Sequence, residues 1–204
     1  MTDNAARYHH AKLRLRQLVL DRVRPARVLD LYAGRGAMWS GAWRRASGYL
    51  GVDQRQWRSD EPHPRIVGDA LLSLDRLDLS AYNVFDLDAY GEPWPAALGI
   101  AARRRWAAGE VGALVLTDGG SLFLRRGNWS RALAALIPMH PDRGVRDPSE
   151  QVHRQAIGAW CARAGVEPVW WMPAGGYTGA GSSRMIYSAT VFRGRVAEKA
   201  SNSG

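Results

Sequence analysis

The chain has 204 residues, 46% hydrophobic, 23% charged and 9% aromatic, which excludes a disordered or fibrous class and points to one globular domain. About 70% of the unfolded surface is buried on folding at this length, so no disulfide or structural metal is required, and the single cysteine, Cys161, excludes both an internal disulfide and a cysteine-built zinc cluster. The net charge of +9 favours a polyanionic partner, nucleic acid first, and the lack of any apolar run near the roughly 20 residues that cross a bilayer predicts a cytoplasmic chain with no membrane contact.

Residues 5–24 set Tyr8, Leu13, Leu15, Val19, Leu20 and Val23 among Arg14, Arg16, Arg22 and Arg24, the pattern of an amphipathic helix with a basic face, closed by Pro25. Strand-length apolar runs follow: RVLDLY at 27–32, YLGVD at 49–53, RIVG at 65–68, YNVFDLD at 82–88 and GALVLTD at 112–118. Helix-compatible stretches at 37–46, 70–77, 93–107 and 128–136 lie between them, an alternation that implies a parallel sheet with right-handed connections. A helix at 148–164 then leads to VEPVWWM at 166–172, a glycine-rich loop at 175–183 and RMIYSATVFR at 184–193. That loop is too short for a crossover helix, so the last two strands are expected to be antiparallel neighbours. The domain spans 1–194, and the small, polar tail at 195–204 is expected to be disordered. No internal repeat is visible.

The first strand runs into Ala33-Gly34-Arg35-Gly36, a turn whose glycines let backbone approach a ligand. Trp39 stands where a dinucleotide fold carries its third glycine, and with Asp30 inside the strand this disfavours a nicotinamide oxidoreductase. VLDLYAGRGA instead resembles the S-adenosylmethionine-binding motif of class I methyltransferases, and the element order agrees. The resemblance implies an α/β, Rossmann-like fold: a seven-stranded, mostly parallel sheet with an antiparallel last strand and helices on both faces. It implies S-adenosylmethionine as cofactor, held by Asp30, Tyr32, Ala33, Gly34 and Gly36, then Asp53 with Gln54 at the ribose and Asp69 with Ala70 at the adenine. The alternative for Asp53 is a helix N-cap, and Asp69 is equally suited to capping the helix at 70.

The fourth strand ends Asp86-Leu87-Asp88-Ala89-Tyr90-Gly91-Glu92-Pro93-Trp94. An exocyclic base amine has its lone pair delocalised into the ring, so acceptors that bind its N–H groups, with an aromatic holding the ring in line, favour methyl transfer. Asp88 and the Ala89 carbonyl supply the acceptors and Tyr90 the platform, with Asp88 also beside the cofactor; Asp86 is expected to face away from the site. DLDAYGEP resembles the Asp-Pro-Phe-Gly-Ser-Pro signature of the tRNA guanine N2-dimethyltransferase family, and LVLTDGGSL resembles that family's Thr-Asp segment. Ala89 replaces its proline and Glu92 its serine, Gly91 and Pro93 keep the turn, and the family's large RNA-binding domain has no counterpart before the sequence ends. Alternatively, these strand-end acids cap the following helix or balance Arg103, Arg104 and Arg105.

Candidate substrate contacts are Arg35, Gly91, Pro93, Trp94, Arg125, Arg126, Trp129 and Arg184, basic groups interleaved with aromatics at the strand ends. Trp39, Trp43, Trp106 and Trp160 sit at helical positions and read as core packing or arginine stacking. Histidines and acids lack metal-ligand spacing, so no metal is expected. The implied activity is transfer of a methyl group to an exocyclic amine of a nucleobase, RNA favoured over DNA. A small-molecule or protein amine, or a non-catalytic S-adenosylmethionine- or RNA-binding module, are the alternatives. Only Lys12 and Lys199 are lysines, so the arginine excess alternatively records GC-rich codons.

Overall fold

A computed structural model describes residues 3–58, 62–89, 91–119, 130–137, 150–176 and 185–196. Seven strands form one sheet in the order β3-β2-β1-β4-β5-β7-β6: β1 Arg27–Asp30, β2 Gly48–Asp53, β3 Arg65–Val67, β4 Val84–Asp88, β5 Val111–Asp118, β6 Val166–Gly176 and β7 Met185–Gly194. β1 to β5 pair in parallel, and β7 runs antiparallel between β5 and β6. This is the expected architecture, and only β7 opposes the other strands.

Helices cover both faces. On one side α1, Asp3–Arg22, lays Leu15 and Val19, with Val23 just after it, over Val28, Val84, Val115 and Ala189. On the other, α3 (Ala70–Arg76), α4 (Trp94–Arg103) and α6 (Glu150–Ala164) cover Leu29, Phe85, Leu87, Leu114 and Leu116. Strand alternation produces this split, because successive side chains point to opposite faces. Burying each such aliphatic side chain is worth about 1.5–3 kcal/mol, so both layers hold the sheet.

The expected helix at 37–46 is shorter and broken: α2 covers Ala37–Gly41 and a 3-10 turn covers Trp43–Arg45. Gly41 sits against α1, where an added Cβ would lie 2.5 Å from Leu13 Cδ2. The helix expected at 128–136 keeps one described turn, α5, Arg131–Ala134, capped by the Ser130 hydroxyl. Arg195, placed by the sequence in a disordered tail, is tied down: its backbone N–H donates to Gly165 and its guanidinium to the Val166 carbonyl. Residues 197–204 lie outside the described residues. Among the described residues no helix is long and apolar enough to cross a membrane, and no group of three or more His, Cys, Asp or Glu side chains is gathered to hold a metal ion.

Candidate active site

The chain builds β1, β2 and β3 outward in one direction and then returns to place β4 on the other side of β1. In open α/β sheets ligands bind beyond the carboxyl ends of the strands at such a reversal. A cleft of about 750 Å³ opens there, at the ends of β1, β2 and β3.

Its walls come from three turns. After β1, Gly34 and Gly36 adopt φ of +54° and +85°, a region L side chains rarely enter. Tyr32, Gly34 and Arg35 line the cleft, whereas Gly36 packs against His63, whose Cε1 would lie 2.5 Å from an added Cβ. Asp53 ends β2 and ties the walls together: Oδ2 accepts the Gly34 amide, and Oδ1 accepts the Arg55 amide and the Trp57 indole N–H, each at 2.9 Å. A carboxylate has about four acceptor positions, so Asp53 keeps capacity toward the cleft; it caps no helix. Asp69 does both things expected of it, capping α3 through the Leu71 and Leu72 amides while lining the cleft and accepting from Gln54. The Leu72 N–H and the Gln54 amide hold its carboxyl below the usual range. Gln54 and Ala70 complete that wall. Arg55, Trp57 and Leu71 also line the cleft and carried no motif signal; Arg35 and Arg55 lie 5.3 and 5.6 Å from the Trp57 ring.

Asp30 and Ala33 are placed differently from expectation. Asp30 shares its face with Val28, is 1% exposed, and accepts from Tyr49 Oη at 3.0 Å and the Tyr32 amide at 3.2 Å. It therefore braces the glycine turn from behind and does not line the cleft. Ala33 is buried, its amide bonded to the Val52 carbonyl.

Asp30 pairs in register with Asp86, and Asp88, two residues on, ends β4, the strand beside β1. Asp86 does not face away from the site. Side chains two apart on a strand point the same way, and Arg16 from α1 reaches both acids, donating to Asp86 at 2.6 and 2.7 Å and to Asp88 at 3.4 Å. Trp43 Nε1 also donates to Asp86, and Lys12 Nζ to Asp88 at 2.5 Å. Burial raises the Asp30 and Asp86 carboxyls, with Asp86 adding to the effect on Asp30 and Arg16 opposing it at Asp86. At Asp88 burial is outweighed by Arg16 and Lys12, which hold it below the usual carboxylate range and keep it an ionised acceptor.

The following turn is close by. Burial, Asp69 and Glu92 together push the Tyr32 hydroxyl up. Gly91 takes φ of +114° and its carbonyl accepts the Gly119 amide, pinning β4 to β5; Pro93 caps α4, and Ala89 is buried. Trp94 is not a substrate platform. It is 1% exposed, donates to Asp118 at 2.9 Å and meets the His153 ring edge-on, and His153 Nε2 lies 2.9 Å from the same carboxylate. Helix periodicity turns the first residue of α4 inward onto this face. Tyr90, Arg125, Arg126, Trp129 and Arg184 lie outside the described residues.

No family model matches the sequence, and no curated protein matches it. Solved structures do. The N-methyltransferase NodS from Bradyrhizobium japonicum WM9 superposes with a TM-score of 0.55 at 14% identity over 96% of this chain and 98% of its own. TYW2 of M. jannaschii, solved with AdoMet, gives 0.58 at 7% identity over 96% and 78%. The 1,6-didemethyltoxoflavin-N1-methyltransferase of Burkholderia thailandensis, solved with bound 1,6-didemethyltoxoflavin and S-adenosylhomocysteine, gives 0.52 at 17% identity over 96% and 80%. The chain has the class I methyltransferase fold. In this methyltransferase fold the cleft and Asp88 occupy adjacent strand ends, and Lys12 and Arg16, absent from the sequence motifs, come from the helix that precedes the sheet.

Proposed function

We propose that the chain is an S-adenosylmethionine-dependent methyltransferase acting on an exocyclic amine of a nucleobase, in RNA in preference to DNA. One observation carries the reading: an ionised Asp88 ends the strand beside a cleft whose walls present the Asp53 and Asp69 carboxylates. The donor set suits this cofactor, since those acids accept hydroxyl and amino N–H groups and the left-handed glycine turn leaves backbone close to the ligand. Bound S-adenosylmethionine supplies a methyl on a sulfonium: the acceptor nitrogen forms the N–C bond as the C–S bond breaks, its electron pair stays on sulfur, and the nitrogen sheds a proton. Asp88 accepts an amine N–H and, held below the usual carboxylate range, is a weak base, so that proton passes to water. The Ala89 carbonyl is the second acceptor in this reading, and Tyr90 the ring platform. The charge of +9, with Arg35 and Arg55 at the cleft, supports a phosphate-bearing acceptor.

A second reading, a small-molecule amine, is favoured by the arginines at the opposite end of the sheet. Arg24, Arg27, Arg44 and Arg45 stand where β1 and β2 begin, away from the cleft, and a short acceptor needs none of them. Calorimetric titration with S-adenosylmethionine, with NAD as control, tests the cofactor; labelled methyl transfer to total RNA, DNA and a small-amine panel then tests the acceptor. Binding of the methyl donor alone, with label in RNA, is expected. Label confined to small amines would replace the first reading with the second, and binding without transfer would leave a cofactor-binding module.

A further inference from the structure

The carboxylate that the proposed reaction uses as its amine acceptor is already attended by cations of this chain. Lys12 Nζ lies 2.5 Å from Asp88 Oδ1 and Arg16 Nη2 lies 3.4 Å from Oδ2, while Arg16 is joined by two bonds to Asp86. The Lys12 ammonium also sits 5.3 Å from the centre of the Tyr187 ring. Two cations, Lys12 and Arg16, thus face the two carboxylates they bond, Asp88 and Asp86, while burial and Asp86 raise the neighbouring Asp30 carboxyl and favour its neutral form. His9, at the edge of the cluster, is kept below its ordinary range by burial and by His10, Arg16 and Lys12, so it adds no charge at neutral pH. Asp88 is therefore already paired with cations of this chain before any substrate arrives.

That pairing discriminates between amines. A solitary carboxylate attracts an alkylammonium ion; one already paired offers such an ion only repulsion from its neighbours in a partly dry site. A nucleobase amine is uncharged and needs only free acceptor positions. Lysine supplies these where arginine would not: its ammonium is a compact point charge that takes one oxygen, whereas a guanidinium fork tends to take both. The Lys12 and Asp88 side chains are 19% and 13% exposed, so the pair is reached by solvent, unlike the fully buried Arg16 and Asp86. In a chain with 28 cationic side chains, this position holds one of two lysines.

We propose that Lys12, backed by Arg16, is the specificity-determining cation of the transfer site, admitting neutral, weakly basic amines and excluding protonated alkyl amines such as lysine side chains and polyamines. This rests on the reading of Asp88 as the amine acceptor. The test is NMR titration of the Asp88 backbone amide in the full chain saturated with S-adenosylhomocysteine. The probe is n-butylammonium chloride at constant ionic strength, in wild type, Lys12→Met, Lys12→Gln and Lys12→Arg. Unchanged S-adenosylhomocysteine affinity certifies the fold of each variant, and the Gln variant stands in if the Met variant fails to fold. Wild type and Lys12→Arg are expected to bind the probe about tenfold or more weakly than Lys12→Met or Lys12→Gln, the restored charge in Lys12→Arg separating electrostatic exclusion from a packing role. Equal affinity across all four, or no binding by any, would overturn the proposal. Failure of the methyl-transfer reading shows differently, as an S-adenosylmethionine-bound wild type that labels no acceptor.

Discussion

Arg16 and Asp86 are both 0% exposed and are joined by bonds of 2.6 and 2.7 Å. Removing one partner strands the other charge in the core. Arg16→Met is expected to lower stability by about 3–5 kcal/mol, and adding Asp86→Leu to recover most of it. Urea unfolding of the three proteins checks this; a double variant as unstable as the single would show that the charges do not depend on each other. Asp30 answers to pH instead. Burial, then Asp86, raise its carboxyl well above the ordinary 3.8, which favours the neutral acid in the folded protein. A raised acid gives stability that is complete below the unfolded value and lost as pH rises through the folded one. Asp30→Asn cannot ionise, so its stability relative to wild type is expected to climb as pH rises from the carboxylate range toward neutrality. Unfolding free energies across that range test it, and a pH-independent difference would refute it. Asp53 ties Gly34 to Arg55 and Trp57 across the cleft. Asp53→Ala is expected to weaken S-adenosylmethionine binding by about 1.5–3 kcal/mol, and calorimetry giving an unchanged Kd would remove Asp53 from the site.

At the scale of elements, the sheet delivers the site residues and the helices decide what each one touches. β4 carries Asp86 and Asp88 on one face, and α1 brings Lys12 and Arg16 down onto them. α4 starts with Trp94 turned inward, where it shares Asp118 of β5 with His153 of α6. Trp94→Phe is therefore expected to cost about 1–3 kcal/mol of stability, the range for unpairing a buried group, while leaving acceptor KM unchanged. A raised KM with intact stability would return Trp94 to the substrate surface. The strand runs and the glycine turn were legible because each depends on neighbours a few residues away. The parity of Asp86 was also legible, since a period of two puts it beside Asp88. The inward turn of Trp94 was not, because a tryptophan after a Gly-Glu-Pro turn suits a rim and a core equally well.

At the scale of the whole molecule, the cleft lies between turns that follow β1, β2 and β3, and a ligand bridging them opposes unfolding of the entire sheet. S-adenosylhomocysteine at a hundred times its Kd is expected to add about 2.7 kcal/mol of stability. For a domain of this size each kcal/mol is worth about 2–4 °C, so a Tm rise of about 5–11 °C should appear in calorimetric melting. NAD should leave Tm unchanged. A rise with NAD and none with S-adenosylhomocysteine would turn the site back toward a dinucleotide.

The sequence by itself determined the order of strands and helices, the glycine turn after the first strand and the acids at the ends of the strands, because hydrophobic period, turn chemistry and strand length are local properties. Only the tertiary structure decided the charge state and company of those acids. Asp88 is an ionised acceptor because residues 76 and 72 positions earlier reach it. Asp30 is a brace raised toward its neutral form because burial and Asp86 outweigh Arg16 and the hydrogen bond from a tyrosine 19 residues away. Coulomb energy and desolvation depend on distance through space, and distance along the chain carries almost none of that information.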